Sequence, residues 1–390
     1  MLQLLRNAEL YDPESRGRQH LLIGGGTVLW IGAEPPALDA SLGVTETDLE
    51  GRRVIPGLID GHAHLTGGGG EAGYETRVPP VPLSRYTSAG VTTVIGVLGT
   101  DDVTRDTAGL VATARGLEAE GLSAWCHTGG YHYPPVTLTG SVRGDIVHID
   151  RIIGVGEVAL SDHRSSQLTL EELLKLAGEA HVGGLMTGKA GIVHLHMGDG
   201  ERGLGLVRAA LAESEIPARV FNPTHVNRRR GLFDEAMALA ERGATVDVTA
   251  FPVAEGEDAW SAADALVRWL DAGLPPQRIT VSSDAGGCLP VFDEEGRVRS
   301  MDVGAPGALV STLAELVARG RPLEQVLPAF TSNVADLLRL TSKGRLHLGA
   351  DADLVVLDER GAVHDVMARG RWHLRDRTAV VRGTFEGALA

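Results

Sequence analysis

The chain predicts an α/β fold: a (β/α)8 TIM-type barrel over residues 56–344, with a small β-sandwich domain built from both termini, 1–55 and 345–390. Two observations carry this. In the middle, continuously apolar β-rich runs alternate with amphipathic helical patterns, which indicates a parallel sheet buried on both faces. At the two ends, short strand-like runs are broken by Gly and Pro, and neither end has room for a large core of its own. Roughly 290 residues of alternating pattern suit a barrel, for which ~250 is typical. A doubly wound open sheet is the alternative.

The elements support this in chain order. "LLIGGGTVLWIG" (21–32) is two apolar runs around a glycine turn. In "PGLIDGHAH" (56–64), a strand puts His62 and His64 on one face, because residues i and i+2 project together. Further strands are expected in "VTTVIGVLG" (91–99), "IIGVGEVAL" (152–160), "GIVHLHMGD" (191–199), "ATVDVTAF" (244–251) and "RITVSSD" (278–284). "TLEELLKLAGEA" (169–180) opens with Thr169 and Glu172 at capping-box spacing. "GLFDEAMALAERG" (231–243) and "ALVSTLAELVARG" (308–320) have helical period. The tail returns to strands in "ADLVVLD" (352–358), "VHDVMARG" (363–370) and "AVVRGTFE" (379–386).

Composition narrows the function. A net charge of −15 argues against a nucleic-acid or anionic-membrane partner, since both need a basic face. Two cysteines, Cys126 and Cys288, make no disulfide framework. Cys126 reads as a small buried hydrophobe. The N-terminus has neither the apolar core nor the cleavage site of a signal peptide. No stretch approaches the ~20 apolar residues of a membrane span. A soluble, cytoplasmic protein is expected.

Polar residues gather at the expected strand ends. His62 and His64 are joined by His196, with His194 two residues before it, by His225 ending "FNPTH", and by Asp284 ending "ITVSSD". Barrel active sites lie at the C-terminal ends of strands. Four such ends carrying imidazole and carboxylate suggest a polynuclear metal site. Zn²⁺ suits these ligands, with Mn²⁺ or Fe²⁺ as alternatives. His194 reads as a histidine packed one layer lower. "GGGGEAG" (67–73) has G-x-G-x-x-G spacing, but a dinucleotide reading fails because the stretch follows a histidine pair and places Glu71 where phosphate would approach.

"PGLIDGHAH", "HMGD", "PTHVNR" and "SSD" resemble the metal motifs of the amidohydrolase superfamily, and "KGRLHLGADADLVVLD" (343–358) resembles its return to the small domain. Within it, "HLTGGGGEAG", "GVTTVIGVLGTD", "TGGYHYPP", "SDHRSS", "HVGGLMTGKAG" and "THVNRRR" are similar to the isoaspartyl dipeptidases. The resemblance covers nearly the whole chain. It implies two divalent ions, one held by His62 and His64, the other by His196 and His225. Asp284 would bind the first ion and take a proton from the attacking water. Glu71 would bind a substrate ammonium group, Tyr131 would polarise the scissile carbonyl, and Arg164 and Arg228 would bind carboxylates. Gly69 and Thr100 match substrate contacts. The resemblance also implies a homo-oligomer and a small dipeptide substrate.

Two departures stand out. The family bridges its metals with a carbamylated lysine, expected in "IIGVGEVALSDHRS", where there is none. The chain's three lysines are Lys175, mid-helix; Lys343, before the tail motif; and Lys189, seven residues before His196 and so ~23 Å away along a strand at ~3.3 Å per residue. Glu157 is the one acid in that strand and offers the same bridging carboxylate on a shorter side chain. The stretch is one residue longer than the family pattern, and a local bulge would bring the backbone closer. Cys288 stands where the family carries a substrate-binding serine, and a thiol is the weaker donor. These departures keep open another amidohydrolase reaction, on a cyclic amide or an N-acyl amino acid. A metal-free, non-enzymatic scaffold is the third reading, opposed by the intact histidines and Asp284.

Overall fold

The computed structural model describes residues 2–292 and 298–387. Eight strands, each leading to a helix, run through the middle of the chain, and an antiparallel pair, Cys288–Phe292 with Val298–Val303, stands between the last of them and its helix. The eight are β1 (Leu58–Ala63), β2 (Val91–Gly96), β3 (Ser123–Thr128), β4 (Ile152–Leu160), β5 (Ile192–Met197), β6 (Phe221–Thr224), β7 (Val246–Thr249) and β8 (Ile279–Ser282). The helices that follow them are α1 (Leu83–Ser88), α2 (Thr107–Glu120), α3 (Val142–His148), α4 (Leu170–Thr187), α5 (Gly205–Glu213), α6 (Arg230–Glu241), α7 (Ala262–Asp271) and α8 (Gly307–Ala318). The strands are buried on both faces, as their apolar runs require. The capping box forms: Thr169 caps α4 and Glu172 returns to the Thr169 N–H.

The backbone ladder is not a closed ring, which corrects the expected barrel. β1 to β6 form one parallel sheet in sequence order, and β7 and β8 form a separate parallel pair. Side chains span both gaps. Between β6 and β7, Thr224 Oγ1 donates to Asp247 (2.7 Å) and Asn222 Nδ2 to the Thr245 carbonyl (2.8 Å). Asp247 also accepts from Thr280 and Ser282 on β8 (2.6 and 2.5 Å). Between β8 and β1, the Ser283 N–H and hydroxyl donate to Asp60, and the His64 N–H donates to the Ala285 carbonyl at 2.7 Å. β6, β7 and β8 have four residues each, and Pro223 in β6 has no N–H to give. Short strands leave few backbone pairs, and buried carboxylates ringed by hydroxyls take their place.

The terminal segments form one continuous nine-stranded sheet rather than two stacked sheets. Its halves join where Arg53–Pro56 pairs antiparallel with Leu354–Leu357, so the two ends pair edge to edge. Leu5, Leu10, Leu21, Val54, Leu354 and Val356 are among the residues of its buried core. The hairpin at Gly25–Gly26 turns with both residues at positive φ (61° and 87°), which glycine allows without strain. The strand expected over 379–386 reduces to Thr378–Ala379; the rest is not strand, and Phe385 is exposed. Among the described residues, no helix is long and apolar enough to cross a membrane.

β4 carries the bulge that the extra residue implied. Val193 of β5 pairs with Val155, but Leu195 pairs with Val158, so three steps on β4 match two on β5. Gly156 sits in the bulge. A Cβ there would lie 2.7 Å from the His194 carbonyl oxygen, so the strands approach this closely only over glycine.

Candidate active site

The C-terminal ends of five strands converge on one point. β1 delivers His62 and then His64, β4 delivers Glu157 from its bulge, and β5 delivers His196. His225 follows β6 and Asp284 follows β8, both at positive φ (60° and 54°), a backbone conformation uncommon outside glycine. All six residues are buried.

Their ligand atoms fall into two groups around Glu157. Its Oε1 lies 3.6 Å from His62 Nε2 and 3.3 Å from His64 Nε2. Asp284 Oδ1 completes that group, 3.4 and 3.1 Å from the same two nitrogens. Glu157 Oε2 faces the other way, 3.0 Å from His196 Nδ1 and 3.4 Å from His225 Nε2. Four ligands at zinc distances from a tetrahedral centre lie ~3.3 Å from one another. The first group has that spacing. His62 Nε2 and Asp284 Oδ1 are buried and make no hydrogen bond. A buried lone pair facing two carboxylate oxygens is costly unless a cation lies among them. The residues therefore fit a divalent ion.

The electrostatics agree. Burial alone would lower the His64 pKa, yet Asp284 and Glu157 outweigh it and push it up to about 10. Burial would raise Glu157, but the facing histidines hold it well below the usual carboxylate range. Asp284 is held low in the same way by His62 and His64. Burial pushes His225 down to about 3, which leaves a neutral imidazole. Tyr131 is raised far above its ordinary value, by burial first and then by Glu157, so its phenol keeps its proton as a donor.

One cavity is lined by His64, Gly69, Glu71, Thr100, Tyr131, Glu157, Arg164, His196, His225, Arg228, Asp284 and Cys288. Of the residues expected at the site, His62 alone lies behind this lining. Gly69 has φ 75°, and a Cβ there would meet the Thr76 carbonyl at 2.5 Å, so glycine is needed to fold the loop. Thr100 Oγ1 donates to Glu71 Oε1 (2.9 Å), while Glu71 Oε2 is buried with no hydrogen-bond partner. Arg228 Nη1 donates to the Met197 carbonyl (2.8 Å). The Tyr131 hydroxyl lies 2.7 Å from His196 Nδ1. The Cys288 thiol is pushed up to about 11, by burial and then by Glu71 and Asp284, so it is a neutral group. None of the three lysines is here: Lys175 pairs with Glu171, Lys189 donates to the Ile146 and Ile149 carbonyls, and Lys343 lies against Asp353.

Two participants have roles that the sequence did not mark. Asp162 accepts from His196 Nε2 (3.1 Å) and grips Arg164 through both oxygens (3.0 and 2.7 Å). Burial would raise its pKa, and these donors hold it well below the usual range. His194 does not merely pack below the site: its Nε2 lies 2.8 Å from His62 Nδ1, and its Nδ1 lies 2.7 Å from Asn222 Oδ1. Asp162 stands inside "SDHRSS" and His194 inside "HLHMGD", so both were in view. Arg164 stands two residues from Asp162, but the histidine and amide partners are 28 to 132 residues away, and no local pattern links them.

A profile of the amidohydrolase family matches residues 53–373. The β-aspartyl dipeptidase of the thermophilic, keratin-degrading Fervidobacterium islandicum AW-1, solved in complex with β-Asp-Leu dipeptide, is 40% identical; the match covers 97% of this chain and 98% of that one, with a TM-score of 0.91. The imidazolonepropionase of Ruegeria sp. strain TM1040 is 27% identical over 384 residues, 91% of this chain and 92% of that protein. Dihydropyrimidinase from Brevibacillus agri NCHU1002, at 18% identity and a TM-score of 0.67, covers 98% of this chain and 97% of its own and shares the fold.

Proposed function

The chain belongs to the amidohydrolase family, and from that premise we propose that it is a metal-dependent dipeptidase that hydrolyses β-aspartyl dipeptides. The observation that carries this reading is the set of charges converging on one cavity: Glu71, Arg164 and Arg228 beside the histidine–carboxylate cluster. A β-aspartyl dipeptide has one ammonium and two carboxylates. Glu71 Oε2, buried and without a partner, suits the ammonium. The guanidinium groups suit the carboxylates, which a planar fork binds well. Arg164 is already held by Asp162, which fixes its orientation.

His62, His64 and Asp284 would hold one divalent ion, and His196 and His225 the second, with Glu157 giving one oxygen to each. Zn²⁺ suits the donor set, and Mn²⁺ or Fe²⁺ are alternatives. Such ions, when bound, polarise the scissile carbonyl and lower the pKa of water. Asp284 would also take a proton from the attacking water and deliver it to the leaving amine. Tyr131, kept as a phenol, donates a hydrogen bond to the developing oxyanion. Cys288, Gly69 and Thr100 line the pocket, and Thr100 orients Glu71.

A second reading, hydrolysis of a cyclic amide, is favoured by the likeness to imidazolonepropionases. Steady-state rates of metal-replete protein on β-Asp-Leu, α-Asp-Leu, N-acetyl-leucine and an imidazolone separate the two. The proposal expects β-Asp-Leu to be turned over best. No turnover of it, with an imidazolone opened, would replace this reading by the second.

A further inference from the structure

We propose that His194 and Asn222 are positioning residues that hold the ring proton of His62 on Nδ1 and so aim its Nε2 lone pair into the site. The inference rests on the metal-dependent reading above. Asn222 Nδ2 donates to the Thr245 carbonyl (2.8 Å), which fixes the amide so that its oxygen faces His194 Nδ1 at 2.7 Å. An amide oxygen only accepts, so His194 Nδ1 carries the hydrogen. His194 is buried, and neither of its hydrogen-bond partners is an anion, which favours the neutral ring. Its Nε2 is then a lone pair, 2.8 Å from His62 Nδ1, so His62 must donate from that atom. The one lone pair left on His62 is Nε2, which points between Asp284 Oδ1 (3.4 Å) and Glu157 Oε1 (3.6 Å).

The chain of donors thus runs in one direction, from His62 to the Thr245 carbonyl. Which imidazole nitrogen holds the proton is set by the bond the other makes. Without the relay, His62 would place its proton on Nε2 for part of the time, where it blocks a ligand position. Outer partners of metal-binding histidines are worth 10–100-fold in affinity in other proteins.

The test reads Zn²⁺ affinity by chelator competition on the full-length, metal-free chain, with thermal unfolding of each metal-free variant to confirm folding. Two pairs of variants separate positioning from packing. His194→Gln keeps an acceptor where Nε2 stood, while His194→Asn keeps only the end that faces Asn222. Asn222→Leu keeps volume and removes the amide, while Asn222→Gln keeps the amide. His194→Asn and Asn222→Leu are expected to weaken one of the two Zn²⁺ equivalents by ~10–100-fold, and His194→Gln to regain most of it. Equal losses in His194→Gln and His194→Asn, or unchanged affinity in Asn222→Leu, would overturn the inference while leaving the metal reading intact. Wild-type protein that binds no Zn²⁺, Mn²⁺ or Fe²⁺ would overturn both.

Discussion

Two clusters of buried charge lie at opposite ends of the strands, and they differ in one respect. At the N-terminal end of β3, Lys343 Nζ meets Ser123 Oγ (2.6 Å), Asp353 Oδ2 (2.6 Å) and Asp351 Oδ2 (2.8 Å). An ammonium has three protons, and each has an acceptor. At the C-terminal end, Glu157, Asp284 and four histidines crowd together, yet His62 Nε2, Asp284 Oδ1 and Glu71 Oε2 are left without hydrogen bonds. Lys343 and Asp353 are buried as Glu157 and Asp284 are, but only the first cluster is satisfied. The first cluster ties the chain leading into the terminal sheet to the barrel. The second leaves buried acceptor atoms without partners, which fits the binding of a cation. A buried charge marks a candidate site only when its partners are missing.

Removing the central group of each cluster should break this comparison if it is wrong. Glu157→Ala should lower kcat/KM on β-Asp-Leu by at least ~10³-fold, because it removes the one carboxylate facing both histidine pairs. Its metal content should also fall, while the metal-free protein still folds. Lys343→Met should do the reverse. Removing one partner of a buried ion pair costs about 3–5 kcal/mol, so chemical denaturation should show a large loss of stability with kcat/KM per folded molecule unchanged. If Lys343→Met lost activity as Glu157→Ala does, the two ends would not be separable in this way.

Smaller effects sharpen the picture. Glu71→Gln and Arg228→Ala each remove a charge-assisted contact worth ~1.5–3 kcal/mol, so ~10-fold or greater losses in kcat/KM are expected. Wild-type efficiency in both would remove the substrate assignment and leave the metal site untouched. Cys288→Ser should have the smallest effect, a gain of ~2–10-fold, since a hydroxyl donates more strongly than a thiol. A loss there would mean that the thiol contributes packing rather than a hydrogen bond.

The parts of the molecule that were legible in the sequence were local. His62 and His64 declared themselves by i, i+2 spacing on an apolar strand, and the capping box of α4 by Thr169 and Glu172. Glu157 stood out because its strand has no other acid and the chain has three lysines, each placed elsewhere. The extra residue in "IIGVGEV" became a bulge in β4, as its length implied. What the sequence hid depends on distant pairing. The gaps in the ladder are bridged by Asp60 and Asp247, whose hydroxyl partners include Ser283, 223 residues away. The strand Ser123–Thr128 surrounds one large apolar residue, Trp125, with small and polar ones, and pairing with its neighbours β2 and β4 makes it a strand. His194 looks like any core histidine until Asn222 and His62 are placed around it.

In the proposed function, a carboxylate belonging to the chain itself, Glu157, does what a carbamylated lysine does in the dipeptidases that this sequence resembles. A carbamate forms from carbon dioxide, whereas Glu157 needs none. The direct measurement is reconstitution of metal-free protein with Zn²⁺ or Mn²⁺, in carbon-dioxide-free buffer and again with bicarbonate, reading metal content and β-Asp-Leu hydrolysis together. About two ions per chain and equal activity in both buffers are expected. Activity that returns only with bicarbonate, or metal content that never exceeds one ion per chain, would contradict this role of Glu157.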